Sequence, residues 1–143
     1  MNVETAPAFT DTNILLYAVA ADDPDRSPVA QDLLRTLMAT NALRTSTQVL
    51  QELFVNLTRK ARRPITPKKA LEYMDQVAAW PVVVTEYADI QKAVSLADTS
   101  RLSFWEALIV VSAAKCGARI LYTEDLNHGQ IISGVRITNP FRR

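Results

Sequence analysis

The chain has 143 residues, 48% hydrophobic and 22% charged, which fits one globular domain over 1–143 and excludes a disordered tail or a fibre. A formal net charge of +1 excludes nucleic-acid binding by bulk charge, so any such contact needs a local basic patch. Three glycines and one cysteine exclude a glycine-rich phosphate loop, an intrachain disulfide and a cysteine-cluster zinc site.

In chain order, no basic segment followed by an apolar stretch opens the chain, so no signal peptide is expected. Ala6 to Thr10 suits a short first strand, Asp11-Thr12-Asn13 a turn, and Ile14 to Ala20 a helix of a turn or two. The longest apolar run, Ile14 to Ala21, falls far short of the ~20 residues of a membrane span, and the expected location is the cytoplasm. After the loop Asp22-Asp23-Pro24-Asp25, Ser27 is expected to cap a helix with Pro28 at its first position, running to about Met38. Ala42 to Thr45 is a weak strand. Val49, Leu50, Leu53, Phe54 and Leu57 recur at spacings of three and four and predict a helix over 48–60. Thr66-Pro67 opens the next helix, to about Ala79, and Pro81 ends it.

Val82-Val83-Val84 reads as a buried strand. Tyr87 to Ala97 is helical. Ser103 caps a helix to Lys115, stopped by Gly117, with Cys116 as a buried small hydrophobe. Arg119 to Thr123 and Val135 to Thr138 complete the strands. Strands alternating with helices imply right-handed crossovers: a three-layer α/β/α arrangement around a mostly parallel sheet of four to five strands. Ligands of such sheets lie outside the carboxyl ends of the strands.

Four carboxylates fall near that edge: Asp11 after the first strand, Glu52 one turn into the helix after the second, Glu106 in the first turn of the helix from Ser103, and Asp125 after Thr123. Gathered carboxylates repel and raise one another's pKa, and a cation neutralises them. Hard oxygen ligands suit Mg²⁺ or Mn²⁺, ions that hold phosphates and activate water, so phosphodiester hydrolysis follows. Each acid also has a structural role open to it. Asp11 and Asp125 suit turns, Glu52 suits a solvated helix face, and Ser103-Phe104-Trp105-Glu106 is a capping-box pattern.

Four stretches carry a resemblance. Phe9-Thr10-Asp11-Thr12-Asn13-Ile14-Leu15, Gln48-Val49-Leu50-Gln51-Glu52-Leu53, Ser103-Phe104-Trp105-Glu106-Ala107-Leu108-Ile109 and Leu121-Tyr122-Thr123-Glu124-Asp125-Leu126 resemble, in order and spacing, the motifs of the PIN-domain family. More narrowly they are similar to VapC-like toxins of bacterial toxin–antitoxin pairs. The resemblance implies a PIN fold, divalent-metal RNA cleavage, a homodimer and neutralisation by an antitoxin. It also implies that Asp11, Glu52, Glu106 and Asp125 form the catalytic metal site for Mg²⁺ or Mn²⁺, with Asn13 and Thr123 as polar supports. One departure stands out: the third motif usually has Asp where this chain has Glu106, a longer reach by one methylene.

Arg59, Lys60, Arg62 and Arg63, with Lys68 and Lys69, form the densest basic stretch, which suits either an RNA backbone or a helix C-terminus and solvated loop. Phe104 and Trp105 suit base stacking, but aromatics opening an apolar helix are more often core. Trp80 suits the edge of the core, His128 a loop, and Arg142 and Arg143 a solvated end.

Three other readings compete, one of them a PIN nuclease acting in RNA processing or on DNA without an antitoxin. A phosphoryl-transfer protein also places an Asp after its first strand, but the dehalogenase pattern needs an acid where Asn13 stands, and a receiver needs an Asp where Thr85-Glu86 follows Val84. A catalytically inactive PIN-fold module would bind RNA or protein without cutting.

Overall fold

The computed structural model describes residues 6–20 and 22–142. Ala21, the end of the apolar run, and Arg143, expected at the solvated end, lie outside the described residues. The elements are β1 (Ala8–Thr10), α1 (Thr12–Val19), α2 (Arg26–Ala39), β2 (Leu43–Ser46), α3 (Thr47–Val55), α4 (Pro67–Val77), β3 (Val82–Val83), α5 (Tyr87–Ser100), α6 (Phe104–Lys115), β4 (Ile120–Tyr122), β5 (Ile131–Ile132) and β6 (Val135–Thr138).

The described strands form a six-stranded sheet in the order β3-β2-β1-β4-β6-β5, parallel except for the β5–β6 hairpin. From β1 the chain builds outward through β2 and β3, then returns to place β4 on the other side of β1. The β1–β4 boundary is therefore a topological switch point, where crossovers diverge and leave a crevice at the carboxyl ends. Asp11 and Asp125 follow those two strands.

The expected α/β/α layering and mostly parallel sheet hold, with one strand more than expected. That strand, β5, is two residues long, too short for a periodic signal. Its turn, Ser133-Gly134, has φ of 51° and 78°, the left-handed pair that a tight hairpin requires.

Phe9, Leu43 and Leu121 of the central strands are fully buried with Ile14, Leu15, Leu53 and Val110. Every residue from Ala107 to Ala113 is buried. Ile109, Val110 and Ala113 join the main core, while Ala107, Leu108 and Val111 pack with Ala93 of α5. α6 is apolar all round because it is covered on both sides.

Several sequence expectations give way. Ser27 does not cap α2: Asp23 Oδ1 accepts the N–H groups of Asp25 and Arg26, each at 3.0 Å, and the helix starts at Arg26. The helix expected over 48–60 is α3 followed by a π-helical turn, Asn56–Lys60. Asn56 Nδ2 donates to Glu52 O and Thr58 Oγ1 to Phe54 O. Those side-chain bonds compete with the regular ladder, and the Ala61 N–H reaches back to Asn56 O at 2.7 Å. The Val82–Val84 strand is a two-residue edge strand, with Val84 59% exposed. Cys116 is half-buried at the end of α6. Among the described residues no helix is long and apolar enough to cross a membrane.

Candidate functional site

Asp11 follows β1 and caps α1. Its Oδ1 accepts the Thr12 N–H at 2.7 Å and its Oδ2 the Thr123 hydroxyl at 2.8 Å. Thr123 follows β4, so this bond joins residues 112 apart in sequence across the switch point. Thr123 Oγ1 also accepts the Asp125 N–H at 3.1 Å and lies 3.4 Å from Asn13 Nδ2. Asn13 Nδ2 donates to Asp125 Oδ2 at 2.9 Å. Asn13 Oδ1 is buried and has no partner.

Glu52 arrives from α3, whose start is fixed by Ser46 Oγ accepting the Val49 N–H at 3.2 Å. Its Oε2 accepts the Thr12 hydroxyl at 2.7 Å and its Oε1 accepts Gln48 Nε2 at 3.1 Å. Glu106 forms the capping box the sequence allowed. Its Oε1 accepts the Ser103 N–H at 2.8 Å, and Ser103 Oγ accepts the Glu106 N–H at 3.1 Å.

Burial, before anything else, pushes the Asp11 carboxyl up to about 6; the Thr12 and Thr123 bonds oppose this, and the Asp125 and Glu52 charges add to it. Asp125 is also raised, first by desolvation and then by the charges of Glu124, Glu106 and Glu52, against the Asn13 bond. The structure thus brings Asp11, Asp125 and Glu52 into one hydrogen-bonded network, with Glu106 close enough for its charge to be felt at Asp125. Among the described residues, however, no three acidic, His or Cys side chains already stand together as a closed cation site. The hydrogen bonds of these carboxylates run instead to Thr12, Asn13, Gln48, Ser103 and Thr123. The residues fit a hard cation in donor chemistry, since all are oxygen ligands. The orphaned Asn13 Oδ1 adds a further oxygen, and no cationic side chain is among the causes that act on Asp11 or Asp125.

The basic stretch divides. Arg59 and Lys60 close the π-helical turn, and Arg62 and Arg63 are exposed in the bend beyond it. Lys60 lines the same groove as Glu52. Trp105, expected in the core, is 62% exposed. His128 is a loop residue whose Nδ1 accepts the Asn139 N–H at 3.0 Å. Trp80 sits at the core edge with Nε1 3.3 Å from Asn41 Oδ1.

Sequence reasoning missed Thr12, Gln48 and the set around Glu124. Tyr17 donates its hydroxyl to Glu124 Oε1, and Arg26 Nε donates to Glu124 Oε2 at 2.9 Å. The Arg26 guanidinium lies over the rings of Tyr17 and Phe141, at 5.6 and 5.7 Å. Burial, then Glu124, raises the Tyr17 hydroxyl to about 12. The motif neighbours Thr12 and Glu124 were in plain view, but Arg26 lies 98 residues from Glu124, and no local pattern links them.

The PIN domain family profile matches residues 8–131. The chain is similar to a curated protein, ribonuclease VapC23 of Mycobacterium tuberculosis: 36% identical over 89 residues, 62% of this chain and 68% of that one. Three solved structures share the fold. A toxin–antitoxin complex from Klebsiella pneumoniae superposes with TM-score 0.68 at 16% identity, covering 93% of this chain and 97% of that one. VapBC2 of Rickettsia felis, bound to a DNA fragment from its promoter, gives 0.65 at 18% over 92% and 97%. VapC20 of Mycobacterium tuberculosis, described as a sarcin–ricin-loop-cleaving toxin, gives 0.61 at 20% over 82% and 91%.

Proposed function

The chain belongs to the PIN domain family, and from that premise we propose that it is a metal-dependent endoribonuclease, the toxin of a toxin–antitoxin pair. The observation that carries the chemistry is the Asp11–Thr123–Asn13–Asp125 network across the switch point, with Glu52 tied to it through Thr12.

In this reading Asp11 and Asp125 hold Mg²⁺ or Mn²⁺, with Glu52 and Glu106 completing the acidic site. Such an ion, when bound, polarises a phosphate and lowers the pKa of water. The chain's own residues do the positioning. Thr12 N–H and Thr123 fix the Asp11 carboxylate, which keeps further lone pairs on both oxygens. Asn13 aligns Asp125 from the side. Glu52, held by Thr12 and Gln48, orients a water for in-line attack. Arg59, Lys60, Arg62 and Arg63 supply the basic surface that a phosphate backbone needs on a chain of low net charge. A cytoplasmic homodimer neutralised by an antitoxin protein completes the proposal; the toxin–antitoxin structures that share the fold support the antitoxin partner.

The test is cleavage of structured and unstructured RNAs by the purified protein in Mg²⁺, Mn²⁺ or EDTA, beside Asp11→Asn and Asp125→Asn. Metal-dependent cutting that both variants lose by 100-fold or more is expected, an order typical of removing one key electrostatic group. Cutting in EDTA, or by either variant at full rate, would overturn the mechanism. The engagement of Glu106 in its own capping box favours one second reading, a module that binds RNA without cutting. It predicts binding with no cleavage in any metal.

A further inference from the structure

Beside the acidic network runs a groove of about 380 Å³ whose walls include Gln48, Glu52, Asn56, Lys60 and Trp105. Glu52 belongs to both features, since one of its oxygens is bonded to Thr12 and the other to Gln48. The volume sits at the low end of the ~300–1,000 Å³ of small-ligand clefts, the scale of a single nucleotide rather than a duplex.

Three features of the groove converge on one chemistry. Trp105, in the first turn of α6, is 62% exposed and is braced by Phe104 in an edge-to-face contact at 5.1 Å. A braced, solvated indole is a stacking surface. Gln48 is the opposite case, only 6% exposed. Its Nε2 faces Glu52 Oε1 at 3.1 Å and the Trp105 carbonyl at 3.4 Å, which fixes the orientation of the amide. Its Oε1 is buried without a partner. With the amide nitrogen committed, the oxygen is left as an acceptor for an N–H group. Lys60 brings a cation to the same groove and has no carboxylate partner among the described residues.

We propose that this groove holds the unpaired nucleotide next to the phosphate that is cut. The base stacks on the Trp105 indole, an N–H on its edge donates to Gln48 Oε1, and a neighbouring phosphate meets Lys60. The inference rests on the nuclease reading and deepens it, because a base can reach the indole face and the amide only when it is out of a helix. The substrate is therefore single-stranded at this position. With one carboxylate, Glu52, and one cation, Lys60, charge does not choose between a nucleotide and a basic segment of a protein partner; the exposed indole favours the nucleotide, whose base has a ring face to stack on it.

The experiment uses the full chain in EDTA, so that binding is read without cleavage, with Trp80→Phe to leave Trp105 as the emitter. A single-stranded oligoribonucleotide of mixed sequence should quench the fluorescence, and its duplex should quench far less. By filter binding, Trp105→Ala should weaken single-strand affinity by about 10-fold or more, while Trp105→Phe retains most of it. Gln48→Leu should weaken binding while keeping the quench. Lys60→Gln should reduce the salt dependence by about one phosphate contact. Trp105 is exposed, so an unchanged far-ultraviolet spectrum is expected for its variants.

Unchanged affinity for Trp105→Ala, equal quenching by duplex, or quenching only by a basic peptide would overturn the proposal, the last marking a protein-docking surface instead. The two readings fail separately. Metal-dependent cleavage with full affinity in Trp105→Ala removes the groove and leaves the nuclease. Quenching by single strands in a protein that cuts nothing in any metal removes the nuclease and leaves the groove.

Discussion

Asp11 is held in a state that costs stability, and the cost has a sign. Its carboxyl titrates near 6 in the folded chain against 3.8 when free. Because the folded value is raised, folding favours the protonated form. That stability is fully present below about pH 4 and is lost as pH rises through 6, by about 3 kcal/mol at 1.36 kcal/mol per unit. In EDTA the urea midpoint should therefore fall between pH 4.5 and 7.5. Asp11→Asn should flatten this dependence and be the more stable protein at pH 7.5, by ~1–3 kcal/mol, while losing cleavage. A wild-type midpoint that does not move over this range would remove the claim. Thr123 carries a different burden, since its hydroxyl serves Asp11, Asn13 and the Asp125 N–H together. Thr123→Val keeps the shape and strips these partners. It should cost ~1–3 kcal/mol, read by denaturant unfolding, and lower cleavage with it.

The first turn of α6 does two things at once. Ser103 and Glu106 close a capping box, and Glu106 also contributes charge at Asp125. Two substitutions separate the roles. Glu106→Gln can still accept the Ser103 N–H, so its stability should stay within about 0.5 kcal/mol of wild type, whereas Ser103→Ala should cost ~1 kcal/mol. If Glu106 serves the cation, Glu106→Gln should weaken Mn²⁺ binding by calorimetry although the helix is intact; unchanged affinity would leave it as a cap alone. The helix start was legible in the sequence because capping is local, a matter of residues three apart. The π-helical turn after α3 was not. It depends on Asn56 and Thr58 taking carbonyls from the preceding turn, and hydrophobic spacing does not register such a choice. Val84 was misplaced for a related reason: a β-branched triplet has strand character, but only the sheet's edge decides how many of its residues pair.

Across the whole molecule, the clasp of Arg26, Tyr17, Phe141 and Glu124 ties α1, α2 and the chain after β6 to the loop that carries Asp125. Arg26 holds a second carboxylate, Asp23, at 2.9 Å. Arg26→Met should leave Glu124 without its cation beside Asp125. A lower melting temperature is expected, together with weaker Mn²⁺ binding or a changed metal optimum. Identical metal titrations in the two proteins would show that the clasp is structural only. Beneath it the core gives a plainer expectation: Leu121 is fully buried in β4, next to the switch point, and Leu121→Ala should cost ~2–5 kcal/mol by denaturant unfolding.

The sequence by itself determined the alternation of strands and helices, the helix starts at Thr66 and Ser103, and the positions of Asp11, Glu52, Glu106 and Asp125 against the strand ends, because these follow from patterns spanning a few residues. Only the tertiary structure decided that Thr12 holds Glu52, that Thr123 and Asn13 join Asp11 to Asp125, that Arg26 neutralises Glu124, and that Trp105 faces solvent beside the unpartnered Oε1 of Gln48. Those partners lie 40 to 112 residues apart or turn on which face of a helix the sheet covers. Both are set by the strand order, and local spacing carries no information about that order.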